Sequence, residues 1–521
     1  AQRSLLGWVL SGKVSEGDKH FTAVTCSTQL LCIESIPEDA VRGLWDIEAI
    51  GIYDRSSSLV DPVLEKFNKT VQFSEGERRY EVALPWKDED ARQSLQNNER
   101  QASARLDGLT RRLEKDADLQ ARYHEVFSDM QREGVIEEVS EEDGDGSRPV
   151  FYLPHRPVVK EASSTTKVRP VFDASAKGSN GVSLNDCLHT GPSMVPDLPG
   201  ILLRFRRFQV ALTADVTKAF LQIKVRSEDQ DVHRFLWDDD GIVRKMKFVR
   251  VPFGNKSSPF LLNAMIKHHL SQLPPSRVKE ELSENMYVDD WLSGADEEDE
   301  ACKMLKDAYS IMSGAGMTLA KWCSNSERVG DVVSQNFDKS VESDFCKVLG
   351  LRWLPTEDCF FFEGMVGSTD LVITKRVVLG LISRLFDPLG FLLPFVMTAK
   401  CLFQQIWRLG LEWDQTLPAV QHEVFLRWIG ELQFLKTWKI PRRYASIAWS
   451  EMNSYELHVF GDASESAYGC CVYLVVQLAD KSWTSNLIMA RARVAPLKRI
   501  SLPRLELLAA LLCARLLVYV K

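Results

Sequence analysis

The chain has no run of 18 or more apolar residues, so nothing in it reads as a membrane-spanning helix. Its 11 cysteines are odd in number and scattered, with only Cys470-Cys471 adjacent and no Cys-x-x-Cys pair. That pattern argues against a structural zinc site and a disulfide scaffold, and predicts reduced thiols in an intracellular protein. An excess of Lys and Arg is also missing: the net charge is −8 and the isoelectric point about 5.8, unlike a generic nucleic-acid binder. There is no initiating Met, and Ala1-Gln-Arg-Ser4 does not begin a signal peptide; the chain reads as an internal piece of a longer open reading frame.

What is present is enough for several domains: 521 residues, 45% hydrophobic and 26% charged, with a sizeable core available. Two local basic stretches, Arg204-Phe-Arg206-Arg207 and Arg244-Lys245-Met-Lys247-Phe-Val-Arg250, are candidates either for phosphate contact or for a solvated charged face.

The organising stretch is Tyr287-Val288-Asp289-Asp290. Neighbouring side chains on a strand point to opposite faces, so only a turn lets both carboxylates approach one site. Such a pair calls for a cation, because close like charges raise each other's pKa. Oxygen-only ligands suit Mg²⁺, with Mn²⁺ as a substitute. Upstream, Ala211-Leu-Thr-Ala-Asp215 reads as a buried strand ending in a third acid, with a turn or short helix after it. Three acids meeting in this way suit phosphoryl transfer on two metal ions. The tetrapeptide alone carries little weight; its company decides.

That company resembles a reverse transcriptase, read in order. Lys167-Val-Arg169-Pro-Val-Phe172-Asp173 is similar to the fingers segment whose cations grip the incoming triphosphate. Asp215 and Phe220 match the first palm motif, where the aromatic blocks a ribose 2′-hydroxyl. Val251-Pro-Phe253-Gly254 falls where the family packs a loop on template and nucleotide, although Phe253 stands where many members have Gln. Tyr287 to Asp290 resembles the catalytic hairpin, Gly316-Met-Thr-Leu-Ala-Lys321-Trp322 the following motif, and Lys347-Val-Leu-Gly350-Leu-Arg-Trp353 the primer grip. Asp173-Ala-Ser-Ala-Lys177, Ser183-Leu-Asn185-Asp186, Ser383-Arg-Leu-Phe386-Asp387-Pro-Leu-Gly390 and Leu411-Glu-Trp413-Asp414 narrow the likeness to the BEL/Pao retrotransposons.

The resemblance implies an α+β right-hand polymerase of fingers, palm and thumb with an antiparallel palm sheet. A connection and a partial ribonuclease H-like α/β domain would follow. It implies metal ions on Asp215, Asp289 and Asp290, general-acid work for Lys321, and nucleotide contacts from Lys160, Lys167, Arg169, Phe220, Phe253 and Gly254. Whether Lys160 or Lys167 takes the main phosphate role stays open, as does whether Asp173 touches substrate or pairs with an Arg. Partners would be an RNA or DNA template-primer, deoxynucleoside triphosphates and the protease and integrase parts of a Pol polyprotein, with no membrane and a cytoplasmic virus-like particle as setting.

Along the chain, Leu5 to Val14 resembles the last strand of an aspartic protease, without its Asp-Thr/Ser-Gly triplet, giving a remnant at 1–30 and a linker at 31–98. Helical spacing of Leu106, Leu109 and Leu113, and of Tyr123, Val126, Phe127 and Met130, predicts bracing helices in fingers and palm at 99–325. Glu137 to Gly146 reads as an acidic surface loop, and Val150 to Pro154 as the start of a strand leading to the cationic turn. Thumb and connection would occupy 326–450, with a helix over 374–385. In 451–521 a strand ending at Asp462 and a helix opened by Pro503 and carrying Glu506 resemble half a ribonuclease H domain, with those two acids as metal ligands. The alternative to a polymerase is a non-catalytic, domesticated or decayed remnant that binds nucleic acid.

Overall fold

A computed structural model of the chain describes residues 2–4, 7–9, 61–140, 148–160, 167–239, 241–337, 344–362, 372–448, 451–452 and 454–521. At the N-terminus, β1 (Gln2–Ser4) and β2 (Gly7–Val9) pair as an antiparallel hairpin. The rest of the expected protease remnant, the linker up to residue 60 and most of the acidic loop lie outside the described residues.

Residues 61–98, expected as linker, are folded into the protein. Asp61 caps α1 (Pro62–Thr70) by accepting the Val63 N–H at 2.8 Å. The hairpin of β3 (Gln72–Ser74) and β4 (Arg79–Val82) then runs parallel to the later strand Lys224–Val225. Phe67, Tyr80, Val82, Leu84 and Trp86 are buried in the first of two hydrophobic clusters. The buried Asp229 carboxylate accepts the Leu84 N–H and the Trp86 indole N–H, each at 2.8 Å. The apolar residues here face partners far downstream, which short-range periodicity does not reveal.

In the fingers, α2 (Glu99–Leu113) and α3 (Ala117–Arg132) bury Leu106, Leu109, Leu113, Tyr123 and Phe127. After β5 (Ile136–Glu138), residues 150–154 form no strand of their own: the Phe151 N–H donates to Asp231 O and its carbonyl accepts the Arg234 N–H, while the Leu153 N–H donates to Arg234 O. The ladder begins at β6 (His155–Val159), antiparallel to β7 (Val168–Phe172).

The palm is introduced by α4 (Leu198–Phe205) and β8 (Val210–Val216), whose side chains are buried at every position but Asp215. There follow β9 (Lys224–Val225), β10 (Arg234–Asp239), β11 (Ile242–Phe248), α5 (Ser258–Ser271) and α6 (Arg277–Asn285). Next come β12 (Met286–Tyr287), β13 (Asp290–Ala295), α7 (Glu298–Gly314), β14 (Leu319–Ser324) and α8 (Glu327–Asn336). The sheet that carries the Tyr287–Asp290 hairpin has order β12-β13-β8-β14 and is antiparallel throughout. Helix α7 packs on it through Ala301, Met304, Leu305, Ala308 and Met312.

Beyond the palm, β15 (Cys346–Val348), β16 (Leu351–Leu354) and β17 (Cys359–Phe361) build a sheet that β18 (Lys439–Pro441) completes after three helices. The helices are α9 (Lys375–Arg384), capped by the Thr374 hydroxyl, α10 (Leu393–Arg408) and α11 (Ala419–Glu431). The last unit is the antiparallel sheet β19 (Ser454–Ala463), β20 (Ala467–Gln477) and β21 (Trp483–Val494), with α12 (Leu502–Val520) packed on it. Pro503 lies in the first turn of α12, where a missing N–H is harmless. The second hydrophobic cluster runs from Ile201 on α4 through these helices to Leu516 on α12.

The structure bears on two sequence expectations. Neither basic stretch is a free cationic surface: Arg206 is fully buried, and in the second stretch Arg244 pairs with Asp239, Lys245 with Glu99, Lys247 with Glu137 and Arg250 with Glu77. The cysteines are not all reduced, because Cys323 and Cys346 form a disulfide joining β14 to β15, with 6.9 Å between Cα atoms. Spacing along the chain could not reveal that the end of β14 lies beside the start of β15. No helix among the described residues is long and apolar enough to cross a membrane.

Candidate active site

Pairing of β12 with β13 leaves Val288 and Asp289 as a two-residue turn between Tyr287 and Asp290. Val288 adopts φ +59°, a left-handed conformation that a branched side chain rarely takes and that marks strain at a site. The next pairing in the sheet sets Asp290 directly across from Asp215, so these two carboxylates leave the same face. Asp289 is bound to the other side of the strand end through its carbonyl, which accepts the Val216 N–H at 2.8 Å. Burial pushes the Asp289 carboxyl up to about 6, helped by the charge of Asp215 and opposed by Lys321 and Arg169. It pushes Asp290 up to about 7, helped by Asp289 and Asp215. The structure thus gathers three acids within Coulomb reach.

Lys321 reaches the same place through a bulge. The pairing of β14 with β8 slips between Ala320 and Cys323, one extra residue enters β14, and Lys321 takes φ +52°. Its Nζ lies 3.1 Å from Asp215 Oδ2. Among the described residues no three His, Cys, Asp or Glu side chains form a ready-made metal cage, so the expected ligand set of Asp215, Asp289 and Asp290 is clustered but not closed. The donor chemistry still fits Mg²⁺, which usually takes one or two carboxylates and completes its shell with substrate phosphates and water.

Phe220 stands on a short helical turn, Ala219–Gln222, directly after the Asp215 strand, and meets Phe253 edge to face at 5.1 Å. Phe253 is 45% exposed. Gly254 has φ +110°, and a methyl group there would run into the Phe172 carbonyl of β7. Sequence reasoning quoted Asn185 without giving it a role. Its amide donates to Gly254 O at 3.1 Å and to Ser175 Oγ at 2.8 Å, and accepts the Lys256 N–H at 2.9 Å, so it fastens the Phe253-Gly254 turn to the fingers. Arg169 on β7 lies close enough to lower the Asp289 carboxyl, whereas Lys160 and Lys167 face each other across the end of the β6–β7 hairpin, Lys160 N bonding Lys167 O at 2.7 Å. Asp173 pairs with Arg105 at 2.9 Å, an ion pair in which both side chains remain partly exposed.

The two acids expected as nuclease ligands stand on β19 and α12. Asp462 binds the N–H of Ala463 at 2.8 Å and alternates away from Gly461, the position over which α12 packs. Glu506 is exposed in the first turns of α12.

A family model described as reverse transcriptase (RNA-dependent DNA polymerase) matches residues 165–337. A second, the Pao retrotransposon-like RNaseH-like domain, matches residues 374–521. No curated protein matches the chain. Solved structures similar to it include the foamy viral protease-reverse transcriptase dRH in complex with double-stranded DNA, at 16% identity and TM-score 0.49, covering 77% of this chain and 59% of that one. Others are the foamy viral protease-reverse transcriptase with an RNA/DNA hybrid (15%, TM-score 0.48, 76% and 45%) and with double-stranded DNA (17%, TM-score 0.46, 77% and 71%). The chain therefore spans 59% of the length of the first of these.

Proposed function

We propose that the chain is a Pao/BEL-type Pol protein, with a polymerase fold and an RNase H-like fold, and that its palm site performs RNA-directed DNA synthesis on a primer. The primer 3′-hydroxyl attacks the α-phosphate of a deoxynucleoside triphosphate opposite an RNA or DNA template, and pyrophosphate leaves. Asp215, Asp289 and Asp290 would hold Mg²⁺ or Mn²⁺, which when bound lowers the pKa of the attacking hydroxyl and steadies the leaving pyrophosphate. Lys321 supplies positive charge, and a proton, beside that leaving group. Arg169, with Lys160 and Lys167 at the hairpin end, neutralises the triphosphate, Arg by a bidentate grip. The Phe220–Phe253 pair and Gly254 wall the sugar and base. The protease and integrase parts of a polyprotein would be its partners.

The observation that carries this reading is the meeting of the three acids with Lys321 at one end of the palm strands. The test is primer extension on RNA and on DNA template with Mg²⁺. Asp289→Asn should slow extension by about a thousandfold, the size of several kcal/mol of lost charge stabilisation. Equal rates for Asp289→Asn and the unchanged chain would sink the reading, and a chain that binds template-primer without extending it would favour the non-catalytic remnant.

A further inference from the structure

The segment Phe386-Asp387-Pro388-Leu389-Gly390 joins α9 to α10, and no motif reading gives it a task. On one side it meets the turn of the β15–β16 hairpin. Leu349 and Gly350 form that turn with φ +46° and +95°, the left-handed pair that a tight two-residue hairpin requires. A methyl group at Gly350 would sit 2.7 Å from Phe386 Cε1, so the ring lies directly against the turn backbone. Phe386 is nonetheless 39% exposed, more than a pure core aromatic.

On its other side the segment is fixed to β21. Ala490 N donates to Leu389 O at 2.8 Å and Arg491 Nη1 to Pro388 O at 2.9 Å. Gly390, at φ +83°, lies so close to the Ala490 carbonyl that a methyl would collide with it. Between the two contacts the chain is stiffened by Asp387, whose carboxylate accepts the N–H groups of Gly390, Phe391 and Leu392 at 3.0, 2.9 and 2.6 Å. The result is a rigid bracket with a ring at one end and a strand at the other.

We propose that Phe386 is a positioning residue for the primer: its ring seats the Leu349-Gly350 turn, and the bracket ties that turn to the C-terminal sheet at Ala490. The proposal rests on the reading of the Lys347–Trp353 hairpin as the part that grips a primer end. Through the bracket, the RNase H-like sheet sets where that hairpin stands relative to the palm.

The test uses the full chain as Phe386→Ala, Phe386→Tyr and Gly390→Ala. Binding of a fluorescent primer-template duplex, primer-extension kinetics and amide hydrogen exchange are the measurements. Phe386→Ala should weaken duplex binding and raise the KM for primer-template about tenfold while kcat stays within about twofold. It should also speed exchange in 346–354 at an unchanged unfolding midpoint, and Phe386→Tyr should restore both. Gly390→Ala should speed exchange in 346–354 as well as in β21. Unchanged exchange in 346–354 for both Phe386→Ala and Gly390→Ala overturns the bracket, and faster exchange with unchanged duplex affinity overturns its role in primer placement. Should the unchanged chain extend no primer, the polymerase reading fails while duplex binding and exchange still decide this one.

Discussion

Asp290 faces Asp215 across one strand pair, and its carboxyl is pushed up to about 7 by burial first and by Asp289 and Asp215 second; Asp289 is pushed up to about 6. Both values lie above the ordinary 3.8, so the folded state without a divalent cation binds these protons more tightly than the unfolded chain does. The associated stability is fully present below about pH 4 and is lost as pH rises through about 6 and about 7. Asp290→Asn should therefore stabilise the protein at pH 8 with a chelator by on the order of 2 kcal/mol, an advantage that fades toward pH 4. Urea unfolding at the two pH values checks it. Since metal must displace those protons, the acid limb of primer extension should move to lower pH as Mg²⁺ is raised. The acids were legible in sequence because their turn and strand end are local patterns. The aim of Lys321 was not, because the bulge that turns it depends on how β14 pairs with β8.

At the scale of elements, the turn at residues 252–257 is held from two sides. Outside, Asn185 binds Gly254 O and the Lys256 N–H; inside, Asn255 Nδ2 lies 2.7 Å from His233 Nε2 in the buried interior. The outer clamp is the one that fixes where Phe253 stands against Phe220. Asn185→Ala removes three hydrogen bonds from a partly exposed side chain and leaves the hydrophobic core untouched. The expected outcome is a KM for deoxynucleoside triphosphate about fivefold to tenfold higher, with kcat within about threefold and the duplex affinity unchanged. A variant with the nucleotide KM of the unchanged chain would mean that the turn stands by itself. Sequence reasoning places this turn by resemblance, and it places α2 and α3 by the spacing of their apolar residues and a helix over 374–385. It missed α1 and the β3–β4 hairpin as part of the polymerase, since their apolar residues are completed only by Lys224–Val225 and Asp229, far along the chain.

In the whole molecule, the palm and the C-terminal sheet share one hydrophobic cluster, and buried arginines bind them. Arg206, at the end of α4, donates to Arg442 O at 2.8 Å and to the β21 carbonyls of Leu487 and Ile488 at 3.0 and 3.1 Å, with its guanidinium 4.3 Å above the Tyr444 ring. Arg442 returns the contact to Phe205 O at 2.7 Å and Gln209 O at 3.0 Å, and grips Asp358 with two bonds of 2.6 and 2.8 Å. A sequence cannot mark such residues: Arg206 reads like its neighbours Arg204 and Arg207, and only the return of the chain after residue 440 buries it. Removing one member of a buried, hydrogen-bonded charge pair leaves the other without compensation, which costs about 3–5 kcal/mol. Asp358 keeps the Trp353 indole N–H at 3.0 Å and Arg443 at 3.5 Å, so Arg442→Met should fall at the lower end, about 3 kcal/mol. Because each arginine donates to backbone that the other holds in place, Arg206→Met and Arg442→Met together should destabilise by less than the sum of the two alone, with about 1 kcal/mol or more of coupling. Urea unfolding of the two single variants and the double variant measures it, and strict additivity would mean that palm and C-terminal sheet meet at this joint without depending on each other.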